Sequence, residues 1–104
     1  MLPSVGRLVH YTLTEDDAKQ VNRRRKDAAN NVGKIREDAL GYMAHVGNAA
    51  EAGQVYPMLI VRVWGETEQS SVNGQVFLDG TDTLWVTSVG QGDGPRQWHE
   101  APRV

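Results

Sequence analysis

The chain contains no cysteine, which excludes disulfide bridges, cysteine-based zinc sites and thiol catalysis. It also lacks an excess of basic residues, because 11 Lys and Arg stand against 13 Asp and Glu, for a formal net charge of −2. Domains that bind duplex DNA are usually clearly basic. We therefore do not expect duplex DNA to be a partner.

Long hydrophobic runs are missing as well. The longest apolar stretch, residues 58–63, is interrupted by Arg62 and is too short to cross a bilayer. The first residues lack the basic stretch and apolar core of a signal peptide. We therefore expect an intracellular protein without a membrane partner. Its 104 residues, 39% of them hydrophobic, suit one domain with a modest core.

The clearest pattern that is present predicts a β-hairpin over residues 72–89. Apolar residues alternate in VNGQVFL and in LWVTSV, on either side of the turn-forming residues Asp79 to Asp82. A period of two is typical of half-buried strands, and the two carboxylates are expected to cap the turn. Similar alternation predicts strands at residues 7–13 and 58–64, the latter a central strand covered on one side by a helix.

A helix is predicted to begin after Thr14, which stands three residues before Asp17 in a capping pattern. Two interpretations of its length remain: one helix from about 15 to about 40, or a helix of 15–30 with a weaker continuation ending at Gly41. We favour the second. Small and apolar residues recur every three or four positions, and this narrow stripe predicts helix-on-helix contact. In so short a chain, that favours a homo-oligomer formed through the 15–30 helix.

Beyond the helix, Tyr42–Val46 is predicted to be a strand, and residues 90–104 a loosely structured tail with 97–99 as a possible edge strand. The whole chain, residues 1–104, is expected to be a single domain. The predicted fold class is α+β: a small curved antiparallel sheet or barrel of about five strands, with one long helix inserted after the first strand.

The densest charge in the chain is Arg23-Arg24-Arg25-Lys26. Successive helical residues point in different directions, so these four do not form one patch. Arg25 differs from its neighbours because it occupies the apolar stripe. Either the run is a solvated helix face, or Arg25 turns into a cleft or subunit interface, where its guanidinium binds a phosphate or carboxylate.

Catalytic and metal-binding patterns are lacking. The histidines, His10, His45 and His99, come from separate predicted strands without the close spacing of a metal motif. We therefore expect no metal and no cofactor, and the absence of a nucleophile motif predicts that the protein is not an enzyme. His45, beside a turn, either meets a ligand or is a structural histidine.

The tryptophans offer stacking surfaces for a base or sugar, or else pack in the core or at its rim. Trp85 is expected in the core. Trp98, in the loose tail, is expected to dock onto the barrel or a neighbouring chain.

The segments VGRLVHYTLTEDDA, VNRRR, AHVGN, YPMLIVRVW, NGQVFLDGTDTLWVTSV and GPRQWHE resemble a family of small proteins encoded by phages and prophages. The similarity covers nearly the whole chain, but Glu100 stands where the family usually has Trp. The resemblance implies a bacteriophage origin and, by itself, no reaction. Its matching polar positions are Asn22, Arg23, Arg24, Arg25, His45, Asn48, Asn73, Asp79 and Thr87.

Three functions remain as hypotheses. The first is a viral anti-defence protein of the host cytoplasm that sequesters a small anionic host molecule, a nucleotide-type immune signal, at a subunit cleft. Its candidate ligand-binding residues are Arg23, Arg24, Arg25, His45, Asn48, Asn73 and Trp98. The alternatives are a structural protein of the virion, for decoration or the tail, and an inhibitor of a host protein. A pocket lined by Arg25, His45 and Asn48 would favour the first; a flat surface with exposed tryptophan would favour the others.

Overall fold

A computed structural model describes residues 1–30 and 46–102. Within these residues, one helix and five strands follow in the order β1 Leu8–Thr12, α1 Glu15–Asn30, β2 Val55–Val63, β3 Val72–Phe77, β4 Thr83–Gln91 and β5 Gln97–His99. Each strand bonds to the next and β5 closes on β1, which makes a closed barrel. Only the β4–β5 contact is parallel. The predicted α+β fold, a small barrel with one helix after the first strand, is confirmed.

The core fills the inside of the barrel with the alternate side chains of its strands. The largest fully buried side chains in the described residues include Tyr11, Met58, Ile60, Val72, Val76 and Trp98. Trp98 has none of its surface exposed, and β5 bonds to β1 on one side and to β4 on the other. Residues 97–99 are therefore the closing strand of the barrel, which differs from the edge strand in a loose tail that the sequence predicted.

The helix α1 begins as predicted. The N–H of Asp17 donates to the hydroxyl of Thr14, and the N–H of Thr14 donates to the Asp17 carboxylate, each at 3.0 Å. This reciprocal pair satisfies two backbone donors at the start of the helix. The Tyr11 hydroxyl donates to the same carboxylate at 2.5 Å, which ties the helix start to β1. Burial, and then this hydrogen bond, raises the pKa of Tyr11 well above its usual value.

The helix reaches the core from the end of the barrel where β1 finishes and β2 begins. Ala18 and Val21 are buried within the core of the same chain. Asn22 exchanges two hydrogen bonds with the backbone of Ala50, at 2.7 and 2.9 Å. The sequence predicted that the helix covers one side of β2. This prediction is wrong for the outward residues of β2, since Val61 is 42% exposed. The stripe of α1 that suggested a homo-oligomer thus already packs, at Ala18 and Val21, inside its own chain.

Some predictions concern residues outside the described ranges. They are the continuation of the helix to Gly41, the strand over residues 42–45 and the surroundings of His45. Val46 is described, and it belongs to an irregular exposed segment. Next to it, Gly47 forms an isolated antiparallel bridge with Gly80 of the β3–β4 turn.

Candidate functional site

Two neighbouring arginines of α1 share one carboxylate of the β3–β4 turn. Arg25 Nη2 lies 2.8 Å from Asp82 Oδ1, and Arg24 Nη1 lies 3.0 Å from Asp82 Oδ2. We call Arg24, Arg25 and Asp82 the arginine cluster. The Asp82 side chain is 2% exposed and that of Arg25 is 10% exposed. Burial alone would raise the pKa of Asp82, but hydrogen bonds from Arg25 and Arg24 outweigh it and hold this pKa below its usual value.

The segment after residue 45 is hydrogen-bonded to the arginine cluster and to the β3–β4 turn. Arg25 Nε donates to the carbonyl oxygen of Asn48 at 3.2 Å, and the Asn48 amide donates to the Asp79 carboxylate at 2.9 Å. Gly47 and Gly80 lie in direct contact there, because a Cβ on Gly47 would overlap the Asp79 carbonyl oxygen. The helix α1, residues 46–48 and the β3–β4 turn are therefore connected by one continuous set of polar contacts. We call this set of contacts, which includes the arginine cluster, the joint.

The predicted ligand-binding residues separate into groups. Arg24, Arg25 and Asn48 come together at the joint, whereas Arg23 is exposed on α1 and His45 lies outside the described residues. The interpretation that Arg25 turns inward to a carboxylate fits the observed contact, and that carboxylate belongs to Asp82. From the sequence, Asp82 was expected only to cap the turn. An arginine on an apolar stripe indicates that a buried acidic partner exists, but not which one it is.

Asn73 and Trp98 lie away from that joint. The side-chain oxygen of Asn73 accepts hydrogen bonds from the Trp64 indole at 3.0 Å and from the Ser88 N–H at 2.8 Å. Ser88 has a φ of 53° in an irregular part of β4, so Asn73 supports a bulge of the backbone. Arg62 stacks on the Trp64 ring at 3.9 Å. Trp98 is a core residue, which corrects its prediction as a surface for a ligand.

The outer face of the barrel presents large apolar side chains to solvent. In the cross-strand register, Leu8 pairs with Leu59, Leu59 with Gln75 and Gln75 with Trp85. Phe77 lies on the same face of β3, diagonal to Trp85. We call Leu8, Leu59, Phe77 and Trp85 the barrel wall. Leu8 is 54%, Phe77 42% and Trp85 60% exposed, so the expectation that Trp85 belongs to the core is wrong.

The barrel wall is poor in charge. Strands β2, β3 and β4 together contain one charged residue, Arg62. The solvated face of an antiparallel sheet usually carries polar side chains, and an uncharged aromatic surface departs from that pattern. The alternation in the sequence predicted these strands correctly. It did not distinguish the two faces of β4, because both are apolar at Leu84, Trp85 and Val86.

Other features of the described residues are less distinctive. An open pocket of about 430 Å³ is lined by Met1, Glu68, Gln69, Gly90 and Gln91, none of which is a predicted site residue. Across residues 1–30 and 46–102, no three His, Asp or Glu side chains lie together as metal ligands. No helix in this part of the chain has the length and apolarity to span a membrane.

No protein-family model, no curated protein and no solved structure matches the chain.

Proposed function

We propose that this protein is a non-catalytic interaction module that binds another protein through the barrel wall. The observation that carries the proposal is the exposure of Leu8, Phe77 and Trp85 on strands that are almost free of charge. Aromatic enrichment and depletion of charge distinguish the centres of protein interfaces from the rest of a protein surface. A contiguous exposed apolar patch on a small soluble domain marks an interaction site.

The energetics favour a partner that covers the wall. Each large apolar side chain that passes from water into a contact contributes about 1.5–3 kcal/mol when fully buried. Trp85 is the strongest candidate for the centre of the contact, because tryptophan is enriched among residues that dominate binding energy. With Phe77 on the adjacent strand, it supplies a rigid surface that loses little conformational entropy on binding.

Sequestration of a small anionic molecule gains no support from the contacts of the described residues. Arg24 and Arg25 both reach the Asp82 carboxylate, and Asn48 is bonded to Asp79. An anion at the buried Arg25 would compete with the Asp82 carboxylate, and an anion at Asn48 would compete with the Asp79 carboxylate. The Arg24 side chain, in contrast, is 28% exposed. The alternatives raised by the sequence, a virion protein in the particle or an inhibitor of a host protein in the cytoplasm, both require a protein-binding surface. A bacteriophage origin, which the resemblance implies, suits either one.

The test is affinity purification of the protein from cells in which it is naturally expressed, with co-purified proteins quantified by mass spectrometry. We expect one defined protein to be retained by the wild type and to fall about tenfold in Phe77→Ser, the loss typical of an interface residue. Val5→Ser is the matched control, because Val5 is 67% exposed outside the wall, and it should retain the partner.

Equal recovery from both variants would contradict the proposal. Native mass spectrometry of the same samples provides the opposing result. A phosphate-containing adduct that is lost in Arg25→Ala would replace protein binding with sequestration as the function.

A further inference from the structure

Strand β4 is longer than the strand that closes the barrel beside it. β4 has nine residues and β5 has three, and the two pair only at Gly90 and Gln91. Among residues 1–30 and 46–102, the stretch from Thr83 to Thr87 has a strand partner on one side alone, which is β3. We call the other side of this stretch the open edge.

The hydrogen-bond pattern identifies the backbone groups that face the open edge. The N–H of Leu78 donates to the C=O of Asp82 at 3.4 Å, so these two residues form a hydrogen-bonded pair. Bonded and non-bonded pairs alternate along an antiparallel ladder. Counting along the register places Trp85, opposite Gln75, in a non-bonded pair. The N–H and C=O of Trp85 therefore point away from β3, into the open edge.

Two arginines stand at the ends of this edge. Arg24 donates to the carbonyl oxygen of Thr83 at 2.8 Å, and Arg96 donates to that of Thr87 at 3.1 Å. Counting along the register places the Thr83 carbonyl on the same side as the backbone groups of Trp85. Arg96, which directly precedes β5, contacts the Thr87 carbonyl at the end of the edge next to β5. Since a strand rises about 3.4 Å per residue, the two carbonyls lie about 14 Å apart with Trp85 midway. The open edge is thus a short strand template with a cation at each end.

We propose that the open edge receives an extended segment of the protein partner, which carries acidic side chains at two positions four residues apart. This inference rests on the proposed function, since it states how the partner reaches the wall. The segment pairs with the N–H and C=O of Trp85, as in other cases where a peptide adds a strand to a sheet. Its carboxylates meet Arg24 and Arg96, and its outward side chains extend the barrel wall beside the Trp85 indole.

The charges of Arg24 and Arg96 favour a segment of another protein over a second copy of this chain at the open edge. If two copies paired by their open edges in the antiparallel sense about Trp85, Arg24 of each would face Arg96 of the other. Parallel pairing would place each arginine beside its own equivalent. Like charges across a strand pair are destabilising, and both arrangements repeat the repulsion at two ends.

The test is a titration of the full chain with capped synthetic peptides, followed by NMR of the backbone amides. The acidic probe is Glu-Thr-Val-Thr-Glu, and the basic probe is Lys-Thr-Val-Thr-Lys. We expect the acidic probe to slow hydrogen exchange of the Trp85 amide about tenfold at saturation and to bind about fivefold more tightly than the basic probe. Unchanged exchange at Trp85, equal affinity of the two probes, or binding of neither overturns the inference.

Arg96 allows a variant that preserves the backbone. Its φ is 61°, a left-handed conformation that asparagine tolerates, so Arg96→Asn removes the guanidinium and keeps the turn. We expect the affinity for the acidic probe to fall about fivefold. Arg7→Asn is the matched control, because Arg7 pairs with Glu100 away from the open edge, and it should bind as the wild type does. An equal loss in both variants would reduce the effect to net charge and overturn the inference.

Failure of this inference can be told apart from failure of the proposed function. If Phe77→Ser loses the natural partner while Arg96→Asn and both probes have no effect, the wall binds a folded surface and the open edge is not used. If Phe77→Ser keeps the partner, the proposed function itself fails.

Discussion

At the scale of single residues, Asp82 explains how two arginines are accommodated on one helix that packs against the barrel. Its carboxylate lies within 3.0 Å of both guanidiniums and is almost fully buried. A buried charge is tolerated when it is paired and hydrogen-bonded, and removal of one partner leaves the other without compensation. Asp82 therefore connects α1 to the β3–β4 turn by charge.

Replacing Asp82 with asparagine should lower the free energy of unfolding by about 3 kcal/mol at pH 7, because two arginines lose their carboxylate. The measurement is chemical denaturation of the wild type and Asp82→Asn. Asp79→Asn is the control, since Asp79 is exposed and accepts one hydrogen bond from Asn48. Similar losses in the two variants would contradict the special role of Asp82.

The same carboxylate predicts a pH dependence. Its folded-state pKa lies below the usual value, so its contribution to stability is complete above the unfolded-state pKa of about 3.9. That contribution decreases as the pH falls through the lower folded-state pKa. Unfolding measured from pH 7 down to pH 2 should show a steeper loss for the wild type than for Asp82→Asn. Parallel curves would refute the depressed pKa.

The contact between Gly47 and Gly80 predicts a second sensitive position. A Cβ on Gly47 would overlap backbone atoms of Asp79 and Gly80, so Gly47→Ala should destabilise the fold by about 1–3 kcal/mol, as overpacking does. Gly90→Ala is the control, because a Cβ there meets nothing within 4 Å. Thermal unfolding of both variants is the measurement, and an unchanged midpoint for Gly47→Ala would contradict the contact.

At the scale of elements, the local sequence predicts what local interactions determine. The start of α1 follows from Thr14 and Asp17, and the β3–β4 hairpin follows from its alternation and turn residues. The position of α1 against the barrel did not follow, because it depends on Arg25 reaching Asp82, far away in sequence. The role of β5 was missed for the same reason: three residues carry too short a pattern, and their partners lie in β1 and β4.

The candidate site was predicted to a similar extent. An inward Arg25 was one of the two interpretations of the arginine run, whereas its partner within the chain was not predicted. The barrel wall was missed because β4 is apolar on both faces, which leaves no signal of which face is exposed.

The cap of α1 provides a prediction at this scale. Thr14→Ala removes the hydroxyl that accepts from the Asp17 N–H, and it should cost about 1 kcal/mol of stability. Thr14→Ser keeps the acceptor and should restore most of that loss. Equilibrium denaturation distinguishes the variants. Equal stability of Thr14→Ala and Thr14→Ser would show that the hydroxyl cap does not contribute to the stability of the fold.

At the scale of the whole molecule, two tryptophans have opposite roles. Trp98 is fully buried where β5 closes the barrel, whereas Trp85 is 60% exposed on the wall. Trp98→Ala should therefore destabilise the protein by about 3–5 kcal/mol, while Trp85→Ala should cost less than about 1 kcal/mol. Denaturant midpoints measure both, and the reverse order would contradict the barrel as described.

The closing of the barrel has a consequence for how the chain reaches its native state. β1 lies near one end of the sequence and β5 near the other, and His10 pairs with His99. Contacts between such distant segments slow folding, because loop-closure entropy is lost before the contact forms. During synthesis, β1 lacks its second neighbouring strand until residues 97–99 have been made. The hairpin of β3 and β4 therefore has time to form first, and the barrel closes last.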